Sequence, residues 1–96
     1  MKFEWDDKKN ESNHRKHGVL FEDAVLAFTD PRCLIYSERM ETGEARWHAI
    51  GAVGVSYLFL TVVHTYREQG AEQIVRIISA RRATPQERKL YAEAIL

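Results

Sequence analysis

The arginines near the end of the chain have the most evident chemistry. The stretch "VRIISARRATPQERKLYAEAIL" holds Arg76, Arg81, Arg82 and Arg88 across a strand-like run and the helix-like run that follows. A guanidinium stays charged at any physiological pH and offers a planar fork of donors matched to phosphate oxygens. Arg81 ends the expected strand, immediately before a helix start whose backbone N–H groups also favour an anion. It is the first candidate for an oxyanion site, and strand alternation turns Arg82 the other way. Arg46 is a second candidate: it precedes Trp47 in "RWHAIG", but alternation sends the two to opposite faces and leaves Trp47 to packing. His64 is the candidate for proton transfer, because an imidazole ordinarily titrates near neutral pH. The competing account makes it a half-buried residue near a strand end. If strands 57–67 and 72–79 pair through an odd-length loop, His64 and Arg76 share one face while Arg67 and Ser79 share the other. Arg67 and Arg76 fit either phosphate contacts or ion pairs with Glu68 or Glu72, which contribute little energy.

Two helical segments add candidates. In "NHRKHG", Asn13, Lys16 and His17 stand at i, i+3 and i+4 on one face, and nothing apolar beside them explains why that face should be buried. Folding onto the sheet would bring Lys16 and His17 to a phosphate. The simpler account is that cations in a last turn complement the helix dipole and Gly18 takes the left-handed cap. His14 and His17 lack the neighbouring carboxylate or cysteine of a metal site, and no metal or other cofactor is expected. Arg88 and Tyr91 are neighbours on the last helix. The tyrosine can direct its hydroxyl to a phosphate or serve as a core aromatic, and Arg88 can pair with Glu87 or Glu93. For Glu87, helix capping is a sufficient explanation.

The elements that must position these residues follow from period and punctuation. A short strand over 3–5 leads through Asp6, a good N-cap, into a polar helix stopped at Gly18. Phe21, Ala24, Val25 and Phe28 then mark an amphipathic helix stopped by Asp30 and Pro31. From Arg32 the period becomes two, and 33–38, 46–54, 56–67 and 72–79 read as four strands with short connections, an antiparallel meander. Thr84, Pro85 and Glu87 announce a capping box for the last helix, whose apolar face is Leu90, Tyr91, Ala94 and Ile95. The expected fold is α+β: an antiparallel sheet of four to five strands with two N-terminal helices and one C-terminal helix, in a single domain over 1–96.

Composition narrows the function classes. The chain has 14 Lys+Arg and 14 Asp+Glu, which argues against a high-affinity, non-specific nucleic-acid binder but not against a small cationic site. The charge is graded: residues 1–17 carry +1, 18–66 carry −3 and 67–96 carry +2. Cys33 is the single cysteine, so no internal disulfide or Cys/His metal framework can form. No window has the roughly 18 uncharged apolar residues of a membrane span, and the polar start does not fit a signal peptide. A cytoplasmic protein is expected.

Three ordered blocks, "FEWDDKKNESNHRKHGVLFEDA", "RWHAIG" and "VRIISARRATPQERKLY", resemble the BrnT toxin family over nearly the whole chain. The resemblance implies a RelE-like fold and a metal-independent endoribonuclease, the toxin of a type II toxin-antitoxin pair. It also implies neutralisation by a BrnA-like ribbon-helix-helix antitoxin, with operator DNA bound only through the toxin-antitoxin complex, for transcriptional autoregulation. Cleavage of RNA without a metal needs the 2′-hydroxyl proton removed, the charge on phosphorus stabilised and the 5′-oxygen protonated. Arg81, His64 and Arg46 are the catalytic candidates under this reading; Arg67, Arg76, Arg88, Lys16, His17 and Tyr91 are the RNA-contact candidates. The alternative is a catalytically inactive interaction module that acts with the antitoxin as an operator-binding autorepressor. A DNA reader in its own right fits poorly, since no ribbon or recognition helix with suitably spaced basic residues is present.

Overall fold

The computed structural model describes residues 1–41, 43–54 and 58–94, and of 38–41 the backbone only. The expected connection at 54–56 therefore falls partly outside the described residues, as do Tyr57 and Ile95. The chain runs β1 (Lys2–Glu4), α1 (Asp7–His17), α2 (Phe21–Ala24), a 3-10 helix (Val25–Thr29), β2 (Leu34–Glu41), β3 (Glu44–Val53), β4 (Leu58–Gln69), β5 (Glu72–Arg82) and α3 (Pro85–Glu93). One five-stranded sheet has the order β1-β5-β4-β3-β2. β2 to β5 form the expected antiparallel meander, whereas β1 adds to the outer side of β5 in parallel.

The polar helix α1 is fixed by amides rather than by an apolar stripe. Asp6 caps it by accepting from the N–H groups of Lys8 and Lys9, and Gly18 closes it at φ 72°, donating its N–H to the His14 carbonyl. Asn10 and Asn13 are its buried residues. Asn10 accepts from the Phe21 N–H at 2.8 Å and donates to Glu22 at 2.7 Å, so it caps α2, whose own N-cap position is Leu20. Asn13 donates to the carbonyls of Val19 and Ala80 and accepts from the Ala80 N–H at 3.1 Å. The pairing of β1 with β5 runs only from Ile74 to Arg76. Beyond it, the Asn13 amide satisfies the edge backbone of Ala80 much as another strand would. That is why a face without hydrophobes is buried.

The amphipathic segment after Gly18 is not one α-helix. It tightens into the 3-10 helix after Ala24, and Ala27 becomes fully buried while Phe28 remains half-buried. The cause lies across the interface at Gly51, where a Cβ would stand 2.3 Å from the Ala27 carbonyl oxygen. Backbone meets backbone there, and only glycine allows it. The core is built from Val19, Phe21, Ala24 and Ala27 against Ala49, Leu60, Val62, Ile77 and Ala80. Burial of such apolar area contributes about 25 cal/mol per Å² to stability.

On α3 the capping box forms as expected, with Thr84 accepting from the Glu87 N–H and Glu87 accepting from the Thr84 N–H. Its apolar face is narrower than the periodicity suggests: Tyr91 is buried, but Leu90 is 43% exposed. The Tyr91 ring packs edge-on against Phe59 with centroids 5.1 Å apart, and its hydroxyl donates to Asp30 at 2.6 Å. Asp30 also accepts from the N–H groups of Ala52 and Arg32. A single carboxylate thus ties α3, the end of the 3-10 helix and β3 together.

Candidate nucleic-acid interface

Strand register decides which residues share a face. β4 and β5 turn through two residues, Gly70 and Ala71, with Gln69 opposite Glu72. The loop is even, not odd, and it places Thr65 opposite Arg76 and Arg67 opposite Ile74, so Arg67 and Arg76 lie on one face and His64 on the other. A bulge follows. Val63 pairs with Ser79 while His64 pairs with Ile77, leaving Ile78 as the additional residue. The bulge reverses the alternation of β5, so Ser79 and Arg81, which is opposite Thr61, join the face that already holds Arg67 and Arg76. Arg46, two residues before His48 on β3, lies on this face as well, since His48 is opposite Val63. The other face carries Ala49, Leu60, Val62, His64, Ile77 and Ala80 and is covered by the N-terminal helices.

Of the three residues expected to act together, the fold brings Arg46 and Arg81 to one face and removes His64 from it. His64 is fully buried. Its ring lies 4.9 Å from both Phe28 and Tyr66, and its Nδ1 stands 3.1 Å from the Val62 carbonyl. Burial pushes its pKa down to about 4. The strand-end position suggested a half-exposed residue; the register and the aromatic wall of Phe28 make it a core residue instead. Trp47 shares that face and packs edge-on to Tyr66, as alternation requires. Arg82 is opposite Leu60 and points away from Arg81, also as expected.

The arginines of this face are held by carboxylates other than those the sequence suggested. Arg67 donates to Glu4 at 2.6 and 3.3 Å, and Arg76 donates to the same carboxylate at 3.0 Å. Glu4 lies on β1, the strand paired with β5, and reaches this face beside Arg76. Hydrogen bonds from Arg67, then Arg76, hold the Glu4 carboxyl below its usual range. Arg81 donates through both terminal nitrogens to Glu87, at 2.6 and 2.9 Å. Burial alone would raise the Glu87 pKa, but the Arg81 guanidinium and the Thr84 N–H outweigh it and bring it to about 2. Capping therefore does not exhaust the role of Glu87: the residue that starts α3 also sets the plane of the Arg81 guanidinium.

The remaining candidates are scattered. Lys16 and His17 are exposed in the last turn of α1, where the dipole and the Gly18 cap account for them. Asn13, which shares their helix face by spacing, is committed to β5. Tyr91 is a core aromatic whose hydroxyl is already engaged by Asp30, and burial followed by that contact raises its pKa to about 12. Arg88 is exposed on α3, and Glu87 is engaged with Arg81 rather than with it. Among the described residues no group of three His, Cys, Asp or Glu is arranged to hold a metal ion, and no helix is long and apolar enough to cross a membrane.

One pair on the arginine face has no counterpart among the sequence candidates. Tyr36 of β2 and His48 of β3 are directly opposite and stacked, with centroids 5.3 Å apart and rings inclined by 12°. The available signal was register: once 46 is placed on a face, 48 must accompany it. What could not be read was the environment of that row, in which Tyr36, His48, Val63 and Ser79 are all half-buried.

A comparison with curated proteins gives no match. The profile of one family, described as "Ribonuclease toxin, BrnT, of type II toxin-antitoxin system", matches residues 5–87. The match begins just after β1 and ends in the first turn of α3, and so includes β2 to β5 and the arginines they carry. The chain belongs to the BrnT family of type II toxin-antitoxin ribonuclease toxins.

Proposed function

We propose that the arginine-bearing face of the sheet binds RNA and that Arg81 and Arg46 stabilise charge on a phosphate during metal-independent cleavage by the adjacent 2′-hydroxyl. The observation that carries this reading is the β5 bulge, which places Arg81 on the same face as Arg46, Arg67 and Arg76. A guanidinium oriented in advance by Glu87 loses little freedom when it engages a phosphate. Arg67 and Arg76 share one carboxylate, Glu4, so this pair retains net positive charge for drawing the backbone of an RNA strand onto the sheet. Lys16, His17, Arg88 and Tyr91 contribute at most at the margins of this surface, and His64 takes no part in the chemistry.

The antitoxin follows from the same charge. A ribbon-helix-helix partner neutralises the toxin by laying an acidic segment over the arginine face, and charge complementarity speeds the encounter. The operator is then bound by the complex, through the partner's DNA-reading element.

Incubation of the purified protein with single-stranded RNA in EDTA tests the reading. Cleavage should leave a 2′,3′-cyclic phosphate or its 3′-phosphate, and Arg81→Ala should slow it by about 100- to 1,000-fold, the effect of removing one donor to a developing oxyanion. No cleavage by the parent protein, or cleavage undiminished in Arg81→Ala, would overturn it. The bidentate ion pair between Arg81 and Glu87 favours one alternative, in which the arginine is structural and the chain is an inactive interaction module that represses its operon with the antitoxin. Growth arrest that survives Arg81→Ala would support that alternative.

A further inference from the structure

Four histidines occur in the chain. His14 and His17 belong to α1 and are exposed, and His64 is sealed into the core on the helix-covered face. His48 is the histidine that the strand register places among the arginines. It is half-buried, with one ring face against Tyr36. The row to which it belongs runs Tyr36, His48, Val63, Ser79 across four strands, every member of it half-buried or exposed. Among the described residues the charged groups on the face of this row are Arg46 on its own strand, Arg67 on β4, and Arg76 and Arg81 on β5, with Glu4 bonded to Arg67 and Arg76 and Glu87 bonded to Arg81. Along β3, Arg46 is about 6.8 Å from His48 by strand rise; Ser79 on β5 is about 9.6 Å away across two strand spacings, and Arg81, two residues further along β5 on the side away from Arg46, is about 12 Å away. Arg46 and Arg81 thus flank the row from opposite sides, with the imidazole between them.

From this placement we infer that His48 is the general base of the reaction, oriented by its stack on Tyr36. The inference rests on the RNA-cleaving reading above. The neutral imidazole takes the proton of the 2′-hydroxyl as the 2′-oxygen bonds to phosphorus. The bond from phosphorus to the 5′-oxygen then breaks, its electron pair leaving with that oxygen, which takes a proton from water. The hydroxide so formed accepts the proton held by His48. A 2′,3′-cyclic phosphate and a 5′-hydroxyl result, and the imidazole is again neutral. Arg46 and Arg81 hold the non-bridging oxygens while this occurs. Tyr36 acts as a positioning residue: its ring fixes the plane in which the imidazole nitrogens lie.

Single-turnover cleavage of an end-labelled single-stranded RNA of mixed sequence, in EDTA and across roughly pH 5 to 9, tests the assignment. The parent protein should lose rate in acid with first-order dependence on proton concentration. His48→Gln should lose about 100-fold or more at the plateau together with that acid limb, while RNA binding is retained. His48→Ala should regain cleavage when imidazole is added. A His48→Gln protein with the parent rate and pH profile overturns the role of His48, and if Arg81→Ala is inactive in the same assay the RNA-cleaving reading stands without it. Absence of cleavage by the parent protein overturns both. Should the substitutions unfold the chain, carbethoxylation of the parent protein replaces them. Inactivation that tracks modification of His48 by mass spectrometry, and that bound RNA prevents, supports the assignment; full activity after modification of His48 refutes it.

Discussion

His48 and His64 stand on adjacent strands, with Trp47 directly opposite His64, yet they meet opposite environments. On the helix-covered face, His64 has no solvent exposure, and its Nε2 has no hydrogen-bond partner among the described residues. Phe28 and Tyr66 flank its ring, and its basicity is low. On the other face, His48 is half-buried and stacks on Tyr36, on the same side of the sheet as Arg46, Arg76 and Arg81. The two arginines of "ARR" divide in the same way. Arg81 faces the side of Arg46 and Arg76, held by Glu87, while Arg82 turns to the face covered by the N-terminal helices. Residue type is thus a poor guide to role in this domain. Which neighbours a side chain meets is decided by parity along a strand, and parity is set by loop length and one bulge.

The face covered by the N-terminal helices can be disrupted without touching the chemistry. Gly51→Ala should have the largest effect, because its Cβ would stand 2.3 Å from the Ala27 carbonyl oxygen and 2.9 Å from Ala27 Cα. Backbone must move to accept it, at a cost of about 3 kcal/mol or more. Chemical denaturation should show a large loss of stability. A variant as stable as the parent would mean that the 3-10 helix is not seated on β3 as described.

Asn13→Ala should come next. It removes three hydrogen bonds to backbone and leaves the Ala80 N–H and carbonyl unsatisfied at the sheet edge, at a cost of about 2 to 3 kcal/mol. Because Ala80 precedes Arg81, hydrogen exchange of the β5 edge should accelerate in this variant before that of β4. Equal protection of the two strands would show that Asn13 does not hold the edge.

The smallest effect at neutral pH belongs to His64→Leu, which should change stability by about 1 kcal/mol or less, since a buried nitrogen without a partner is lost along with the ring. Its signature is pH dependence. An unfolded imidazole takes up its proton near 6.5 and buried His64 near 4. Between these values the unfolded state binds more protons, so stability is complete above 6.5 and declines as the pH falls towards 4. The variant should lose that decline. It should keep a second one due to Glu87, whose carboxyl titrates near 2 when folded against 4.5 otherwise; that contribution is present above 4.5 and lost as the pH falls through 2. Acid denaturation of the two proteins separates the windows. RNA cleavage at neutral pH should be unchanged, and a large loss would return His64 to the chemistry.

Much of this protein was legible from local signals. The capping box at Thr84, the Gly18 stop, the period-two strands and the opposed directions of Arg46 and Trp47 are short-range consequences of dihedral preference and alternation. The sequence also pointed to Arg81 as the arginine at a strand-to-helix junction. Tertiary structure alone decided the rest, because it depends on groups far apart in the chain. Glu4 meets Arg67 and Arg76 only after β1 joins the sheet from the opposite end of the sequence. Asn13 finds Ala80 only where the short β1 leaves an edge open. The 3-10 turn replaces a regular helix because Gly51 admits the Ala27 backbone. The bulge at Ile78 has no signature in "IVRIISARR", yet it moves Arg81 to the face of Arg76 and away from that of His64, since a shift of one residue exchanges every side chain between the two sides of a sheet.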